Sequence, residues 1–218
     1  MEIYPSLISS DLLKLHATLQ QLDDYCDGYH LDVMDDHFVP NLTWGPDFIN
    51  AIIEATQKPV HVHLMVQDPT RWVKRLKLRS FDLFIFHYES LKQPEKIKNL
   101  LEILRDNTIH TSIALNPETP ISVITDFLQV LDQILIMSVN PGFSGQAFIP
   151  DVTEKIASLV TTREDKDLAF KISMDGGISE KNIRSLVTLG VDQVAIASAI
   201  FGDQNPVSSI QKLYELCK

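Results

Sequence analysis

Short apolar runs rich in β-branched and aromatic residues alternate with amphipathic stretches along the chain, and this alternation constrains the fold more than any other feature. Strands are recognised as short apolar runs, and helices by apolar residues that recur every three or four positions. Strands are predicted over residues 3–8, 28–34, 59–65, 81–87, 109–116, 133–139, 169–175 and 193–198. Helices are predicted over residues 11–24, 46–56, 69–77, 94–106, 120–131, 150–162, 180–189 and 206–217.

Strict alternation of strand and helix predicts parallel strands joined by right-handed crossovers. Eight such units of about 27 residues each indicate a closed barrel rather than an open sheet. The length of 218 residues suits one domain, and no linker or low-complexity tract interrupts the series. We therefore predict an α/β protein with a single (β/α)8 TIM-barrel catalytic domain over residues 1–218. In such barrels the chemistry lies at the C-terminal ends of the strands.

Composition excludes several classes of partner. A net charge of −10 argues against nucleic acid, which requires a basic patch, but backbone N–H groups can still bind a small phosphate. The chain has no apolar run of 18 residues and starts without a basic leader, so we expect no membrane span and a cytoplasmic protein. Cys26 and Cys217 form no CxxC motif, and we expect reduced thiols rather than a disulfide framework or a cysteine-based zinc site.

Polar side chains occupy the inward face of three predicted strands. Strand side chains alternate in direction, and in the second strand His30 and Asp32 alternate with apolar residues that face the helices. The same alternation directs His61 and His63 of the third strand into the barrel. Asp175 ends the seventh strand at the rim. These groups are therefore expected to converge at one end of the barrel.

Two histidines and two aspartates at converging strand ends predict a metal site. An uncompensated buried carboxylate costs several kcal/mol, so such groups are seldom left unpaired. One divalent cation bound by His30, Asp32, His63 and Asp175 would satisfy all four side chains. This set of nitrogen and oxygen ligands suits Zn²⁺, Fe²⁺, Mn²⁺ or Co²⁺. We expect one such ion and no organic cofactor, and the donor set leaves the choice among the four metals open.

Small residues cluster in the loops after the last three strands, where barrels commonly bind phosphate. Glycine lets successive backbone N–H groups converge on an anion, so these loops predict a phosphate-binding site. The residues concerned are Gly142, Phe143, Ser144 and Gly145 after the sixth strand, Gly176 and Gly177 after the seventh, and Ala197 and Ser198 after the eighth.

Taken together, these motifs resemble the ribulose-phosphate 3-epimerase family over nearly the whole chain. The most specific segment is residues 30–41, which reads HLDVMDDHFVPN. The other matching segments are residues 5–11 (PSLISSD), 63–66 (HLMV), 137–143 (MSVNPGF), 175–177 (DGG) and 198–201 (SAIF).

The resemblance implies a TIM barrel of the ribulose-phosphate-binding type that interconverts ribulose 5-phosphate and xylulose 5-phosphate in the pentose phosphate pathway. It assigns the metal ligands to the four residues named above, with Asp32 as proton acceptor and Asp175 as proton donor. A phosphorylated ketose is the implied substrate, and a homo-oligomer the implied assembly. The substrate-binding residues it implies are Ser6, His63, Gly142, Phe143, Ser144, Gly145, Gly176, Gly177, Ala197 and Ser198, and the methionines lining the site are Met34, Met65 and Met137.

At four positions the chain departs from the family pattern. Position 61 is commonly aspartate and position 173 commonly glutamate, whereas here they are His61 and Ser173. Because both lie two residues before a metal ligand on the inward face, one hypothesis is altered metal affinity or preference. The alternative is neutral repacking of one barrel layer. Ser144 and Ala197 each replace a glycine, which requires negative φ at both positions.

Three other functions are considered. A 3-epimerase acting on a six-carbon ketose phosphate such as allulose 6-phosphate is the nearest alternative. A decarboxylase or aldolase-like synthase on a related barrel would need an Asp-x-Lys-x-x-Asp run, and the predicted third strand has no lysine at the required place. A non-catalytic phosphosugar-binding barrel would not need two opposed carboxylates.

Overall fold

Eight parallel strands form one sheet in the computed structural model, which describes residues 1–203 and 205–218. The strand order is β1-β8-β7-β6-β5-β4-β3-β2, and a parallel bridge between Ser6 and His30 joins the two edges. The eight predicted strands and the barrel architecture are confirmed. The strands are β1 (Glu2–Pro5), β2 (Tyr29–Met34), β3 (Val60–Met65), β4 (Leu83–His87), β5 (His110–Leu115), β6 (Gln133–Met137), β7 (Lys171–Asp175) and β8 (Gln193–Ile196).

The first strand is shorter than predicted, and its early end shapes the mouth of the barrel. The predicted strand to Ile8 is wrong, because the chain turns into a 3₁₀-helix at Leu7–Ser9. The backbone N–H and the hydroxyl of Ser10 both donate to the carbonyl of Leu7, which closes this turn. Ser6 is thereby left between the strand and the turn, beside His30 of β2.

Helices cover the outside of the barrel. Three of the longer ones begin with proline, as predicted, because the first turn needs no N–H from that residue. Their apolar faces pack on the outward side chains of the strands and form the main core. The helices are α1 (Leu15–Leu22), α2 (Pro46–Ala55), α3 (Tyr88–Leu91), α4 (Pro94–Asp106), α5 (Thr153–Asp165), α6 (Ile183–Thr188), α7 (Ser198–Phe201) and α8 (Pro206–Leu216), with further 3₁₀-helices at Leu12–Lys14 and Pro150–Val152.

Two predicted α-helices are wrong. The segment predicted over residues 69–77 forms only a 3₁₀-helix at Pro69–Trp72 and then turns, and it is rich in charged side chains that remain exposed. The segment predicted over 120–131 is a 3₁₀-helix at Ile121–Val130. Half of its ten residues are β-branched, which disfavours α-helix and is consistent with the tighter winding. The short helices α3 and α7 were not predicted.

The inside of the barrel is divided into an apolar and a polar half. An inner apolar cluster lies on β4, β5 and β6 and includes Leu83, Ile85, Ala114 and Leu135. The inward-facing polar side chains come mainly from β2, β3, β7 and β8, and most of them are buried. The polar half is therefore the side of the barrel on which charged chemistry can be placed. In the part of the chain that the structure describes, no helix has both the length and the apolar character needed to cross a membrane.

A buried ion pair closes the N-terminal end of the barrel. Asp82 is fully buried and accepts from the backbone N–H of Val60 at 2.9 Å and from the Arg79 side chain at 2.8 and 2.9 Å. Arg79 also donates to the carbonyls of Thr56 and Lys58 at 2.6 and 2.8 Å. This clamp joins the end of the α2 loop to the starts of β3 and β4.

Loss of one partner of this clamp should destabilise the barrel strongly. Asp82→Ala leaves Arg79 and the Val60 N–H without their acceptor, and we expect the free energy of unfolding to fall by about 3–5 kcal/mol. Chemical denaturation measures this value. The control is Glu54→Ala, which removes the exposed Lys77–Glu54 pair and should leave stability nearly unchanged. Equal losses in the two variants would contradict a structural role for the clamp.

Candidate active site

Four ionisable side chains meet at the C-terminal end of the barrel, as predicted. Asp32 and His63 pair in the register of β2 and β3, His30 lies two residues earlier on β2, and Asp175 ends β7. His63 Nδ1 is 3.2 Å from His30 Nε2, 3.3 Å from Asp32 Oδ1 and 3.5 Å from Asp175 Oδ2. His30 Nε2 is 3.4 Å from Asp32 Oδ1 and 3.7 Å from Asp175 Oδ2.

The spacing of these four atoms fits a small divalent ion. All four lie within 4.8 Å of one another. Ligand atoms about 2.0–2.1 Å from a tetrahedral centre are about 3.3–3.4 Å apart, which is close to the measured separations. Two imidazole nitrogens and two carboxylate oxygens also form a donor set that suits such an ion. The cluster can therefore hold a divalent metal ion.

Hydrogen bonds alone do not satisfy this cluster, because each neutral imidazole has only one N–H to donate. Burial raises the pKa of Asp32, but His30 and His63 outweigh that effect and hold it well below its usual range. Burial lowers the pKa of His63, but hydrogen bonds to Asp175 and Asp32 outweigh it and raise the value to about 9. The site thus favours the charged form of Asp32 and attracts positive charge.

Ser6 orients the Asp32 carboxylate. Its hydroxyl donates to Asp32 Oδ2, which leaves Oδ1 directed at the two histidines. The Asp32 carbonyl accepts from the Thr43 hydroxyl at 2.9 Å, and Thr43 in turn accepts from the Met34 N–H at 2.9 Å. These bonds hold the end of β2 and the following loop in one arrangement.

One cavity above the cluster is lined by nearly all the residues predicted for the site. His30 and His63 do not line it, because both are buried beneath its floor. The substrate contact implied for His63 therefore stays a prediction. The predicted residues that line the cavity are Ser6, Asp32, Met34, Met65, Met137, Gly142, Phe143, Ser144, Gly145, Asp175, Gly176, Gly177, Ala197 and Ser198.

The glycines of the late loops adopt the left-handed conformations that glycine permits. Gly142, Gly145, Gly176 and Gly177 have φ of 127°, 78°, 113° and 63°. A Cβ on Gly177 would lie 2.6 Å from the backbone nitrogen of Phe148, so no larger residue fits without a shift of the chain. These loops therefore combine close backbone packing with backbone conformations that only glycine adopts freely.

The two residues that replace family glycines need no such conformation. Ser144 is not among the residues with positive φ, and Ala197 has φ of −100°. The Ser144 hydroxyl accepts from Ser9 at 3.2 Å, which connects the loop after β6 to the turn after β1. Asn41 adds a second connection by donating to the carbonyl of Gly142 at 2.7 Å.

His61 and Ser173 lie in the layer beneath the cluster without bonding to it. The His61 ring stacks on Tyr4 with centroids 3.8 Å apart, and burial holds the pKa of His61 well below its usual range. Within the described residues, no hydrogen bond joins either side chain to the four clustered groups. An effect of these two exchanges on metal affinity stays a prediction.

Sequence reasoning missed two residues next to the cluster. His63 Nε2 lies 2.9 Å from Nε2 of His87, and His87 Nδ1 lies 3.2 Å from Glu89 Oε2. The signal was present, because the alternation that selects Leu83 and Ile85 as inward side chains also selects His87 at the end of the predicted strand 81–87. Glu89 follows the strand and carried no comparable signal.

Comparisons with known proteins identify the family of the chain. The model of the ribulose-phosphate 3-epimerase family matches residues 2–201. A ribulose-phosphate 3-epimerase from Synechocystis is 36% identical over 95% of this chain and 90% of its own length. Another, from Chlamydia muridarum, is 37% identical over 91% of this chain and 87% of its own length.

Among solved structures, KGPDC from Streptococcus mutans in complex with D-R5P superposes with a TM-score of 0.74 at 12% identity. The superposition covers 99% of this chain and 96% of that one. At this low identity the likeness supports the barrel fold alone.

Proposed function

The chain belongs to the ribulose-phosphate 3-epimerase family, and from this premise we propose that it interconverts D-ribulose 5-phosphate and D-xylulose 5-phosphate. The observation that carries the proposal is the pair of carboxylates, Asp32 and Asp175, which enter one cavity from strands that are not neighbours. Both approach the same atom, Nδ1 of His63, at 3.3 and 3.5 Å. A binding protein would have no need for two carboxylates so placed.

Inversion at C3 requires a base on one face of the substrate and an acid on the other. In our proposal Asp32 accepts the C3 proton, whose acidity comes from the neighbouring C2 carbonyl, and protonated Asp175 returns a proton to the opposite face. The turnover leaves the proton on Asp32 and a carboxylate at Asp175, which is the starting state for the reverse reaction. The hydroxyl of Ser6 donates to Oδ2 of Asp32, so the other carboxylate oxygen, Oδ1, is directed away from Ser6.

We propose that His30, Asp32, His63 and Asp175 hold one divalent ion, with Zn²⁺ as the first choice and Fe²⁺, Mn²⁺ or Co²⁺ as alternatives. The separations of the four ligand atoms support this set. When bound, such an ion supplies positive charge next to the negative charge that develops as C3 loses its proton. The four side chains are also fixed by their neighbours, so little reorganisation is needed during the reaction.

The phosphate of the substrate is proposed to bind at the late loops, which carry Gly142, Gly145, Gly176 and Gly177. The positive φ angles and the common cavity support this placement. Backbone N–H groups can bind a phosphate without a cationic side chain. Phosphate binding at a distance from C3 also contributes orientation to the reacting end.

The wider context is proposed as well. The continuous sheet from Glu2 to Ile196 supports one catalytic domain over the whole chain. Free thiols at Cys26 and Cys217 support a reducing, cytoplasmic location. Association with further copies of the chain is expected from the family, and light scattering after size exclusion would measure it.

A coupled assay tests the activity. We expect turnover of ribulose 5-phosphate to be lost after chelation and restored by at least one of Zn²⁺, Fe²⁺, Mn²⁺ and Co²⁺ added singly. Allulose 6-phosphate is assayed in parallel, and a higher kcat/KM for it would favour the hexulose alternative. Absence of turnover and of deuterium exchange at C3 under every condition would indicate a binding protein instead.

Asn at either proposed acid/base position should abolish most of the activity. We expect Asp32→Asn and Asp175→Asn each to lower kcat by roughly 10²–10⁴-fold, because the amide neither accepts nor returns the C3 proton. The melting temperature should confirm that both variants fold. Asp36→Asn is the matched control, since Asp36 is an exposed aspartate of the same strand end and should leave kcat unchanged. Near-normal kcat in either site variant would contradict the two-carboxylate mechanism.

A Cβ at Gly177 should weaken substrate binding. Gly177→Ala forces the loop after β7 away from Phe148, and we expect KM for ribulose 5-phosphate to rise at least roughly tenfold, a change of about 1.4 kcal/mol. We expect kcat to change less. Gly45→Ala serves as control because its Cβ meets nothing within 4 Å and its φ is −92°. The same KM in the two variants would argue against phosphate binding at this loop.

A further inference from the structure

A line of hydrogen bonds leads sideways from the active-site cluster to β4. His63 presents Nδ1 to the cluster and Nε2 to Nε2 of His87, 2.9 Å away. His87 presents its other nitrogen, Nδ1, to Oε2 of Glu89 at 3.2 Å. Both histidines are fully buried, and their rings are nearly parallel with centroids 5.0 Å apart. Solvent therefore does not compete for these bonds.

Glu89 is held as an acceptor by the backbone N–H of Asn116, a donor that cannot reverse. Its Oε1 accepts from the backbone N–H of Asn116 at 2.8 Å and from the hydroxyl of Thr119. Burial raises the pKa of Glu89, but the bonds from His87, Thr119 and Asn116 outweigh burial and keep it below its usual value. A carboxylate has no proton to donate. Glu89 must therefore accept from His87 as well.

The direction of every bond in the line follows from this. His87 donates through Nδ1, so in its neutral form Nε2 carries a lone pair and must accept. Among the described residues, the donor in line with it is the Nε2–H of His63. In its neutral form, with its single proton on Nε2, His63 carries a lone pair on Nδ1, which is the atom that faces His30, Asp32 and Asp175. A lone pair is what a metal ligand requires.

Lys155 anchors the donors at the far end of the line. Its ammonium group, on α5, donates to the carbonyls of Asn116, Pro117 and Thr119 at 3.0, 2.6 and 2.6 Å. Three bonds from one cation hold the loop after β5 in place. The same loop supplies the two donors to Glu89 Oε1, the Asn116 N–H and the Thr119 hydroxyl. A continuous series of hydrogen bonds therefore connects α5 to His63 on β3.

We propose that Glu89 and His87 are positioning residues that fix the tautomer of His63, so that Nδ1 offers a lone pair to a divalent cation in the active site. Lys155 and the loop after β5 keep Glu89 in the orientation this requires. The proposal rests on the proposed function, because it takes His63 to be a metal ligand. It assigns a purpose to the carboxylate of Glu89, which touches neither the cavity nor the four clustered side chains.

A purely structural role for the line makes a different prediction, and Glu89→Gln separates the two. The amide matches the carboxylate in size, but its oxygen is required by Asn116 and Thr119. Its NH₂ group then faces His87 and donates, which reverses every bond in the line. His63 must now accept at Nε2 and carry its proton on Nδ1. The variant keeps every hydrogen bond of the line, so we expect it to fold, whereas the metal site loses the lone pair on Nδ1 of His63.

The experiment measures Co²⁺ affinity of the full-length protein by competition with a chelating dye, together with the visible absorption spectrum of bound Co²⁺. We expect Glu89→Gln to weaken Co²⁺ binding by roughly 10–100-fold, the range typical of lost partners of metal ligands, and to alter the spectrum. Thr119→Val is the matched control. It removes one bond to the same carboxylate without reversing the others, and should stay much closer to wild type.

A second pair of variants tests the same idea if Glu89→Gln does not fold. His87→Gln can accept from His63 and donate to Glu89, and should retain more Co²⁺ affinity than His87→Leu, which can do neither. Unfolding of the metal-free proteins in urea reports the structural contribution separately.

Wild-type Co²⁺ affinity in Glu89→Gln would overturn the proposal. So would equal losses in Glu89→Gln and Thr119→Val, or equal affinities in His87→Gln and His87→Leu. Failure of the wild-type protein to bind Co²⁺, Zn²⁺ or Mn²⁺ would instead refute the metal site of the proposed function, on which the role of the hydrogen-bond line depends.

Discussion

Burial of charge at the mouth of the barrel is the constraint on which the other features of the site depend. Two carboxylates and two imidazoles lie within 4.8 Å of one another, and three of the four side chains are buried while Asp175 is partly buried. Uncompensated, such groups would cost several kcal/mol each. Ser6 bonds to one oxygen of Asp32, and His87 bonds to one nitrogen of His63. The other oxygen of Asp32 and the other nitrogen of His63 face the centre of the cluster. Because the outward-facing atoms of Asp32 and His63 already have hydrogen-bond partners, their inward-facing atoms remain available to a cation.

The division of the barrel interior into two halves follows from the same constraint. Apolar side chains fill much of the interior along β4, β5 and β6, and the ionisable His87 at the end of β4 is paired with Glu89. The four clustered side chains lie on β2, β3 and β7, and the glycine-containing loops after β6 and β7 line the cavity above them. The cavity therefore has a charged floor and a backbone-lined wall, which is the arrangement a phosphorylated sugar with one reactive carbon requires.

Sequence reasoning succeeded where a residue's role is set by its own strand. Alternation along β2 and β3 was enough to direct His30, Asp32 and His63 inward, because the period of a strand is two in any context. It failed for residues 69–77 and 120–131, where charged or β-branched composition outweighs apolar periodicity. It also failed for Glu89, whose partners Asn116 and Thr119 are more than 25 residues away in the chain.

The sequence by itself determined the barrel, the four clustered side chains, the glycine loops and the family, since each is written in local periodicity or in a contiguous motif. Only the tertiary structure decided which nitrogen of His63 faces the cluster, that His61 stacks on Tyr4 instead of reaching a ligand, and that Lys155 anchors the loop after β5. Those features depend on ring orientations and on contacts between distant segments. Periodicity specifies the face on which a side chain lies, whereas the atoms it meets there are set by the packing of the whole barrel.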